Sequence, residues 1–442
     1  MIDRTQAPAI NTIKKVDVLR ASEIKLKNAR LPSLSKDDIG QGIPVYHINA
    51  GTQDLVKIEL LFPAGMWHQP APLVGSASST MLQEGTSKHS SKEIAEMVDY
   101  YGAFLHTEIT HDFAVVGIHS LNKHLPSVLP IIEEIISDSV FPQNEWDIYV
   151  QNKKQTFIVN NKKVSFVSRK KFAELLFGNN HPYGHNVTEN DFDKLKKEDA
   201  YNFYRQSYTA KDAIIVASGN VTDATLKLIE KHFRNLSDSP ALPITDSGKR
   251  GNGEGEIRGG SFLVEKKDAL QSAIRMGKML FTKKHPDYCE MLVVNTIFGG
   301  YFGSRLMSNI REDKGYTYGI GSALVSFTNA GYFTISTEVG AEVTNDAVKE
   351  IYFELNKLQT EKVSGSELSL VRNYMLGTFL RSIDGPFALA DRFKGIYFNG
   401  LGYDYYERYV EAIRTITPER ILELANKYLK KEEMIELVVG KK

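Results

Sequence analysis

The segment Phe298-Gly-Gly-Tyr-Phe-Gly-Ser-Arg-Leu306, followed closely by Arg311-Glu-Asp-Lys-Gly-Tyr-Thr-Tyr318, decides the fold prediction for this chain. Its glycines predict a short turn. Arg311 and Tyr318 are candidate functional residues, because a permanently charged guanidinium and a phenol can both donate hydrogen bonds to carbonyl oxygens. On spacing alone a structural interpretation is also open, with Arg311 in an exposed salt bridge and Tyr318 in the core at the start of a strand.

The composition is that of a globular protein with balanced charge. Hydrophobic residues make up 42% and charged residues 24% of the 442 residues, which suits two or more domains with sizeable cores. Lys+Arg and Asp+Glu both number 54, so the formal net charge is zero, which argues against a general nucleic-acid binder. The single cysteine, Cys289, excludes an intrachain disulfide and a thiolate zinc cluster. The first thirty residues contain no apolar run of signal-peptide length, and no stretch of the chain approaches the length of a membrane helix. We therefore expect a cytoplasmic protein without a membrane partner.

A stretch rich in Gly, Ser and Pro divides the chain into halves of similar size. Residues 236–261 have the composition of a linker. The first half ends with a helical pattern and the apolar strand 212–219, and the second ends with a helical pattern and the apolar strand 434–440, as an internal duplication requires. We predict an N-terminal extension at 1–40, one domain at 41–235, the linker at 236–261 and a second domain at 262–442.

Local patterns mix strands and helices in both halves. Ser90 and Glu93 form a capping box at the start of a helix. Residues 56–62 alternate apolar and polar side chains, which predicts a half-buried strand. The runs 318–327 and 332–339 predict a hairpin. Because the strands and helices do not alternate strictly, we predict an α+β fold of two homologous domains, each a mostly antiparallel sheet packed with helices.

A second segment, Leu73-Val-Gly-Ser-Ala-Ser-Ser-Thr-Met-Leu-Gln-Glu-Gly-Thr86, resembles the zinc-binding helix of the pitrilysin/insulinase family of metallopeptidases. The family's inverted motif reads H-x-x-E-H before Met-Leu-x-x-Gly-Thr, and here Ser76, Ser79 and Thr80 stand at the His, Glu and His positions. Residues 148–172, where the resemblance places the third ligand, contain no Asp or Glu. Since Ser and Thr are not useful neutral zinc ligands, we predict no metal site in this chain.

The resemblance covers roughly residues 40–440. It is strongest at residues 298–318, with weaker matches at 42–45 and at His181-Pro-Tyr-Gly184. It implies that Arg311 and Tyr318 face the zinc site of another half across a closed chamber and bind substrate carbonyl oxygens there. It also implies that residues 103–110 form a sheet edge to which peptides add as an extra strand. The predicted edge residues are His106, Thr107 and Glu108. His106 and Glu108 have a spacing that a metal could use on a strand, but we predict exposed or hydrogen-bonded side chains instead.

These observations favour a zinc-free subunit of a heteromeric zinc metalloendopeptidase, which is inactive alone. Its expected partner is a homologous chain with H-x-x-E-H, which supplies the zinc and the general base in a heterodimer. The expected substrates are short or unfolded peptides. One alternative is a non-enzymatic structural or peptide-binding protein on the same fold. Another is a hydrolase that uses Ser78, Ser79 and His89, but the chain has no G-x-S-x-G nucleophile elbow there.

Overall fold

The computed structural model describes residues 43–236 and 259–442 and, as a backbone strand, Leu26–Arg30. Within the predicted N-terminal extension, Leu26–Arg30 is the described part, and it belongs to a sheet. Most of the predicted linker lies outside the described residues. The described residues form two sheets packed with helices, so the predicted α+β class is confirmed.

The first sheet has six described strands, and one of its five neighbouring pairs is parallel. The strands are β1 (Leu26–Arg30), β2 (Pro44–Asn49), β3 (Leu55–Phe62), β4 (Phe104–Ile109), β5 (Ala114–Leu121) and β6 (Ile214–Gly219). Their order is β1-β2-β6-β3-β5-β4, with β2 and β6 parallel and the other pairs antiparallel.

Within the described residues, the second sheet has the same plan without a counterpart of β1. Its strands are β7 (Gly260–Glu265), β8 (Gln271–Leu280), β9 (Ile320–Ser326), β10 (Gly331–Gly340) and β11 (Ile435–Gly440). Their order is β7-β11-β8-β10-β9, with β7 and β11 parallel, and β9 and β10 form the hairpin that the sequence indicates. The order matches β2-β6-β3-β5-β4 strand by strand, so the two halves repeat one topology.

Helices fill the chain between the strands. Those of the first half are α1 (Val74–Met81), α2 (Ser91–Tyr100), α3 (Leu125–Asp138), α4 (Gln143–Asn160), α5 (Val164–Phe177), α6 (Glu189–Lys194), α7 (Lys197–Ser207) and α8 (Asp223–Phe233). Those of the second half are α9 (Tyr288–Asn295), α10 (Thr344–Thr360), α11 (Gly365–Arg381), α12 (Pro386–Tyr397), α13 (Asp404–Thr415) and α14 (Pro418–Tyr428). The predicted capping box is present at α2, where the Ser90 backbone N–H donates to the Glu93 carboxylate at 2.8 Å. None of the described helices is long and apolar enough to span a membrane.

Each half has its own core between one face of its sheet and its own helices. In the first half, Ile58 and Leu60 of β3 pack with Ile132 of α3. In the second half, Met276 of β8 packs with Ile351 of α10. Two separate cores of this kind agree with two homologous units.

The opposite faces of the sheets are covered by helices that the halves exchange. Helix α12, from the second half, places Phe393 against Leu61 and Val216 of the first sheet. Helix α5, from the first half, places Phe172 in a cluster with Leu437 of the second sheet. The central strands of each sheet are therefore buried on both faces, and neither half covers its own sheet completely.

Because of this exchange, the prediction of a half-buried strand at residues 56–62 is wrong. Every residue from Val56 to Phe62 is buried, including Lys57 and Glu59, whose side chains lie under α12. The Glu59 carboxylate lies 2.8 Å from Lys394 Nζ and 2.9 Å from Lys57 Nζ. A buried charge is tolerated only when it is paired in this way.

The pKa of Glu59 reports this pairing. Burial alone raises the pKa of a carboxyl group, but His106, Lys394 and Lys57 outweigh burial and hold the pKa of Glu59 at about 2. Since Lys394 belongs to the second half, a charge contact joins the halves in addition to the apolar one.

The loop His181-Pro-Tyr-Gly184 makes a second junction between the halves. The Tyr183 hydroxyl donates to the Asp112 carboxylate, whose other oxygen accepts from the Thr328 backbone N–H at 3.0 Å. The Tyr183 ring also lies 4.4 Å from the Phe327 ring, centroid to centroid. The β9–β10 hairpin is thus held against the first half by both hydrogen bonds and aromatic contact.

We predict that Lys394→Ala lowers the free energy of unfolding by about 3 kcal/mol at neutral pH, because it leaves the buried Glu59 carboxylate with a single lysine partner. Urea unfolding followed by circular dichroism measures the loss. The matched control is Lys349→Ala, which removes an exposed ion pair to Asp346 and should leave the free energy of unfolding almost unchanged, because water screens exposed pairs. Equal losses in the two variants would contradict the assigned role of Lys394.

The difference between wild type and Lys394→Ala should also shrink in acid. The pKa of Glu59 is depressed in the folded state, so its pairing stabilises the fold fully above its ordinary pKa of 4.5 and is lost as the pH falls toward about 2. Unfolding curves at a series of pH values check this, and a difference that stays constant through that window would show that Glu59 ionisation is not its source.

Candidate functional site

The three degenerate metal positions lie on α1 and hold hydroxyl groups. Ser79 is buried, and the Ser76 hydroxyl donates to the Leu73 carbonyl at 2.9 Å. Thr80 completes the predicted set on the same helix. No cluster of three or more His, Cys, Asp or Glu side chains able to hold a metal occurs among the described residues.

Helix α4 presents a tyrosine to these positions instead of an acidic ligand. Burial raises the pKa of the Tyr149 phenol, while interaction with the Ser76 and Thr80 side chains acts in the opposite direction. Burial likewise raises the pKa of the Tyr208 phenol, against an opposing contribution from Ser79. Neutral hydroxyl and phenol groups are poor zinc ligands, so this set of residues does not fit a zinc ion.

Tyr149 was not predicted from the sequence. The lack of acidic residues at 148–172 indicates that a ligand is absent, but a pattern does not show which side chain fills the space. Only the packing of α4 beside α1 identifies Tyr149.

Strand β4, which contains the predicted edge residues His106, Thr107 and Glu108, lies at the edge of the first sheet. It pairs with β5 alone, and its outer side faces no other described strand. Glu108 is exposed, and His106 and Thr107 are half-buried. The backbone groups on the outer side of β4 are therefore available to an added strand. Whether peptides add there stays a prediction.

His106 points across the sheet and not along the free edge. Its ring lies over Gly117 of β5, where a Cβ atom would come within 2.2 Å of the ring. Its Nε2 atom is 3.7 Å from the Glu59 carboxylate. His106 thus belongs to the buried charge network under α12, and a glycine on β5 makes room for it.

Arg311 lies in the π-helical turn Met307–Asp313. It is half-buried and follows the fully buried Ile310. Its guanidinium carbon is 4.4 Å from the centre of the Phe302 ring, which is itself 59% exposed. Within residues 43–236 and 259–442 the guanidinium makes no ion pair, so the salt-bridge interpretation of Arg311 does not describe this structure. A stacked guanidinium keeps its N–H donors free for another molecule.

Tyr318 is 94% exposed, which excludes the interpretation that it is a core residue. The segment that presents it is nevertheless anchored. The Thr317 hydroxyl donates to the Glu338 carbonyl of β10 at 2.7 Å and accepts from the Gly319 N–H at 3.1 Å. An exposed phenol on an anchored segment is placed to contact another molecule.

A cavity of about 420 Å³ lies beside Tyr318, between α5 and the second sheet. Its wall includes Arg275 of β8, a residue that the sequence analysis did not identify. Arg275 of β8 and Glu59 of β3 occupy equivalent positions of the repeated strands. An alignment of the two halves of the sequence could therefore have identified Arg275.

The fold, together with Ser76, Ser79 and Thr80 on α1, defines a peptidase-like scaffold whose metal positions do not fit a zinc ion. Residues 194–375 match the family described as "Peptidase M16 inactive domain". An uncharacterized zinc protease of Bacillus subtilis is 23% identical over 347 residues, which cover 78% of this chain and 83% of that protein. An uncharacterized zinc protease of Rickettsia felis is 24% identical over 400 residues, which cover 87% of this chain and 92% of that protein.

A solved structure agrees in fold along most of the chain. The crystal structure of a peptidase M16 inactive domain from Pseudomonas fluorescens superposes with a TM-score of 0.82 at 21% identity, covering 94% of this chain and 98% of that one. The predicted resemblance to the pitrilysin/insulinase family, M16, is thus confirmed.

We predict that the triple substitution Ser76→His, Ser79→Glu and Thr80→His does not create a tight zinc site. It restores the inverted motif on α1, but Tyr149 on α4 remains beside it, and residues 148–172 contain no Asp or Glu to act as the third ligand. Metal analysis after dialysis against a chelator should find far less than one zinc per chain. Stoichiometric zinc in the dialysed variant would show that the third ligand is available elsewhere.

Proposed function

We propose that this chain is the zinc-free subunit of a heteromeric zinc metalloendopeptidase, and that Arg311 and Tyr318 bind substrate carbonyl oxygens in the assembled enzyme. The observation that supports this most directly is the contrast between two positions. The motif positions on α1 are filled by hydroxyl and phenol groups, whereas Arg311 and Tyr318 present hydrogen-bond donors to the outside.

The chemistry of the two donors suits peptide hydrolysis. The carbonyl oxygen of a scissile peptide gains negative charge when water attacks, and preoriented donors stabilise that charge. The Arg311 guanidinium stays protonated at any pH of interest, and the Tyr318 phenol is a neutral donor. The motif positions on α1 hold no residue that could act as a general base. A homologous H-x-x-E-H partner is therefore expected to provide the base and the zinc.

The comparisons support a non-catalytic role within a peptidase family. The matched family is described as an inactive domain, while the relatives are named zinc proteases. A chain of this kind contributes to peptide cleavage only by joining a chain that has the metal site.

The second candidate, a peptide-binding protein without catalysis, is favoured by the free outer edge of β4. Backbone hydrogen bonds from an added strand would bind short or unfolded peptides without any reaction. The two candidates differ in whether a zinc-binding partner is present, which affinity purification of the tagged chain from its host decides.

We predict that Arg311→Ala and Tyr318→Phe each lower kcat of the purified complex about 100-fold or more, because each removes one donor to the developing oxyanion. Peptide cleavage by wild-type and variant complexes, with their zinc content measured, is the assay. Arg381→Ala, at an exposed arginine in the last turn of α11, serves as the control and should keep full activity.

Full kcat in the Arg311→Ala and Tyr318→Phe complexes would contradict the composite site. Chelator-sensitive cleavage by the isolated chain would contradict the assignment of the zinc to a partner.

A further inference from the structure

The cavity beside Tyr318 contains a partly buried cationic group without a counter-ion among the described residues. The Nε atom of Arg275 is buried and has no hydrogen-bond partner, and no ion pair of this guanidinium occurs in the part of the chain that the structure describes. A guanidinium is charged at every accessible pH, so an unpaired one in a partly buried position costs free energy.

The charges around Arg275 do not neutralise it. Burial and the guanidinium of Arg169 lower its pKa, while Tyr332 and Glu338 act in the opposite direction. Glu338 lines the cavity, but it is exposed and makes no ion pair with Arg275. Arg169, on α5, adds a second positive charge to the surroundings.

The equivalent position in the first half shows what is missing. Glu59 pairs across the sheet with Val216, the third residue before Gly219, and Arg275 pairs with Leu437, the third residue before Gly440. Both side chains therefore occupy the same place in the repeated topology, on the face that an exchanged helix covers.

The two exchanged helices treat these equivalent positions differently. Helix α12 gives Glu59 a counter-ion, because Lys394 Nζ lies 2.8 Å from its carboxylate. Helix α5 instead contributes the small side chains of Ser165 and Ser168 to the cavity wall. The space that a pairing side chain would fill remains as a cavity of about 420 Å³.

We propose that this cavity binds a carboxylate group of a peptide, with Arg275 as its counter-ion. A guanidinium and a carboxylate form two parallel hydrogen bonds, and the hydroxyl groups of Ser165 and Ser336 are further donors in the wall. The inference rests on the proposed function in one respect, since Tyr318, which we assign to substrate binding, lines the same cavity.

The carboxylate has two possible sources, the peptide C-terminus and an acidic side chain, which share this chemistry. A phosphate is disfavoured because its second negative charge would lie near Glu338, the acidic residue of the cavity wall.

Peptide binding to the isolated full-length chain tests the proposal. The probe is one short peptide with an uncharged N-terminal fluorophore, prepared as the free acid without acidic residues, as the C-terminal amide, and as the amide with one internal glutamate. Fluorescence anisotropy measures the dissociation constants. We expect at least one carboxylate-bearing form to bind about tenfold or more tightly than the plain amide, and the form that does so identifies the source.

Arg275→Gln should remove that difference, while Arg381→Gln, outside the cavity, should keep it. A second variant does not depend on the fold tolerating a change in β8. Ser165→Glu places a carboxylate on α5, where it can pair with Arg275 as Lys394 pairs with Glu59, and it should also remove the preference. Ser165→Gln has the same size without the charge and should bind the carboxylate form more tightly than Ser165→Glu.

Equal affinity of the three peptides for the wild-type chain would overturn the proposal, as would equal affinity of Ser165→Glu and Ser165→Gln for the carboxylate form. These results are independent of the composite active site. A chain that prefers carboxylate peptides but joins no peptidase would refute the proposed function alone, and an active complex without this preference would refute the carboxylate site alone.

Discussion

The exchange of helices between the two halves is the constraint on which the rest of this structure depends. A sheet with one apolar face can leave its other face in water, but the central strands of both sheets here carry apolar side chains on both faces and need two covers. Each half provides one cover for its own sheet and one for its neighbour, with α12 over the first sheet and α5 over the second. The relative position of the halves is fixed by these contacts, and so is the position of Tyr318 and of the cavity beside α5.

The two exchanged helices also explain why equivalent residues have different roles. Beneath α12, Glu59 is surrounded by Lys57, Lys394 and His106, so its negative charge is fully paired within the protein. Beneath α5, Arg275 meets serine side chains and open space. A buried carboxylate with two lysine partners stabilises the fold, whereas a partly buried guanidinium without a partner can form new hydrogen bonds with an anionic ligand.

Local features of the fold were predictable from the sequence, and long-range features were not. The capping box at Ser90 and the β9–β10 hairpin depend on neighbouring residues, so their patterns predict them well. The burial of Lys57 and Glu59 depends on α12, which is more than three hundred residues away, and alternation within one strand contains no information about it. For the same reason the absence of metal ligands on α1 is visible in the sequence, but the presence of Tyr149 against them is not.

The separation of Glu59 from Lys394 along the chain, 335 residues, has a consequence for how the protein is made. On the ribosome the first sheet is complete in its strands once β6 has emerged, but its second apolar face stays uncovered until α12 follows. Domains usually fold as units during synthesis, and exposed apolar surface makes incomplete chains prone to aggregation. One face of the first sheet thus stays exposed during the synthesis of most of the second half. Correct folding therefore requires that this face does not associate with other chains before α12 is synthesised.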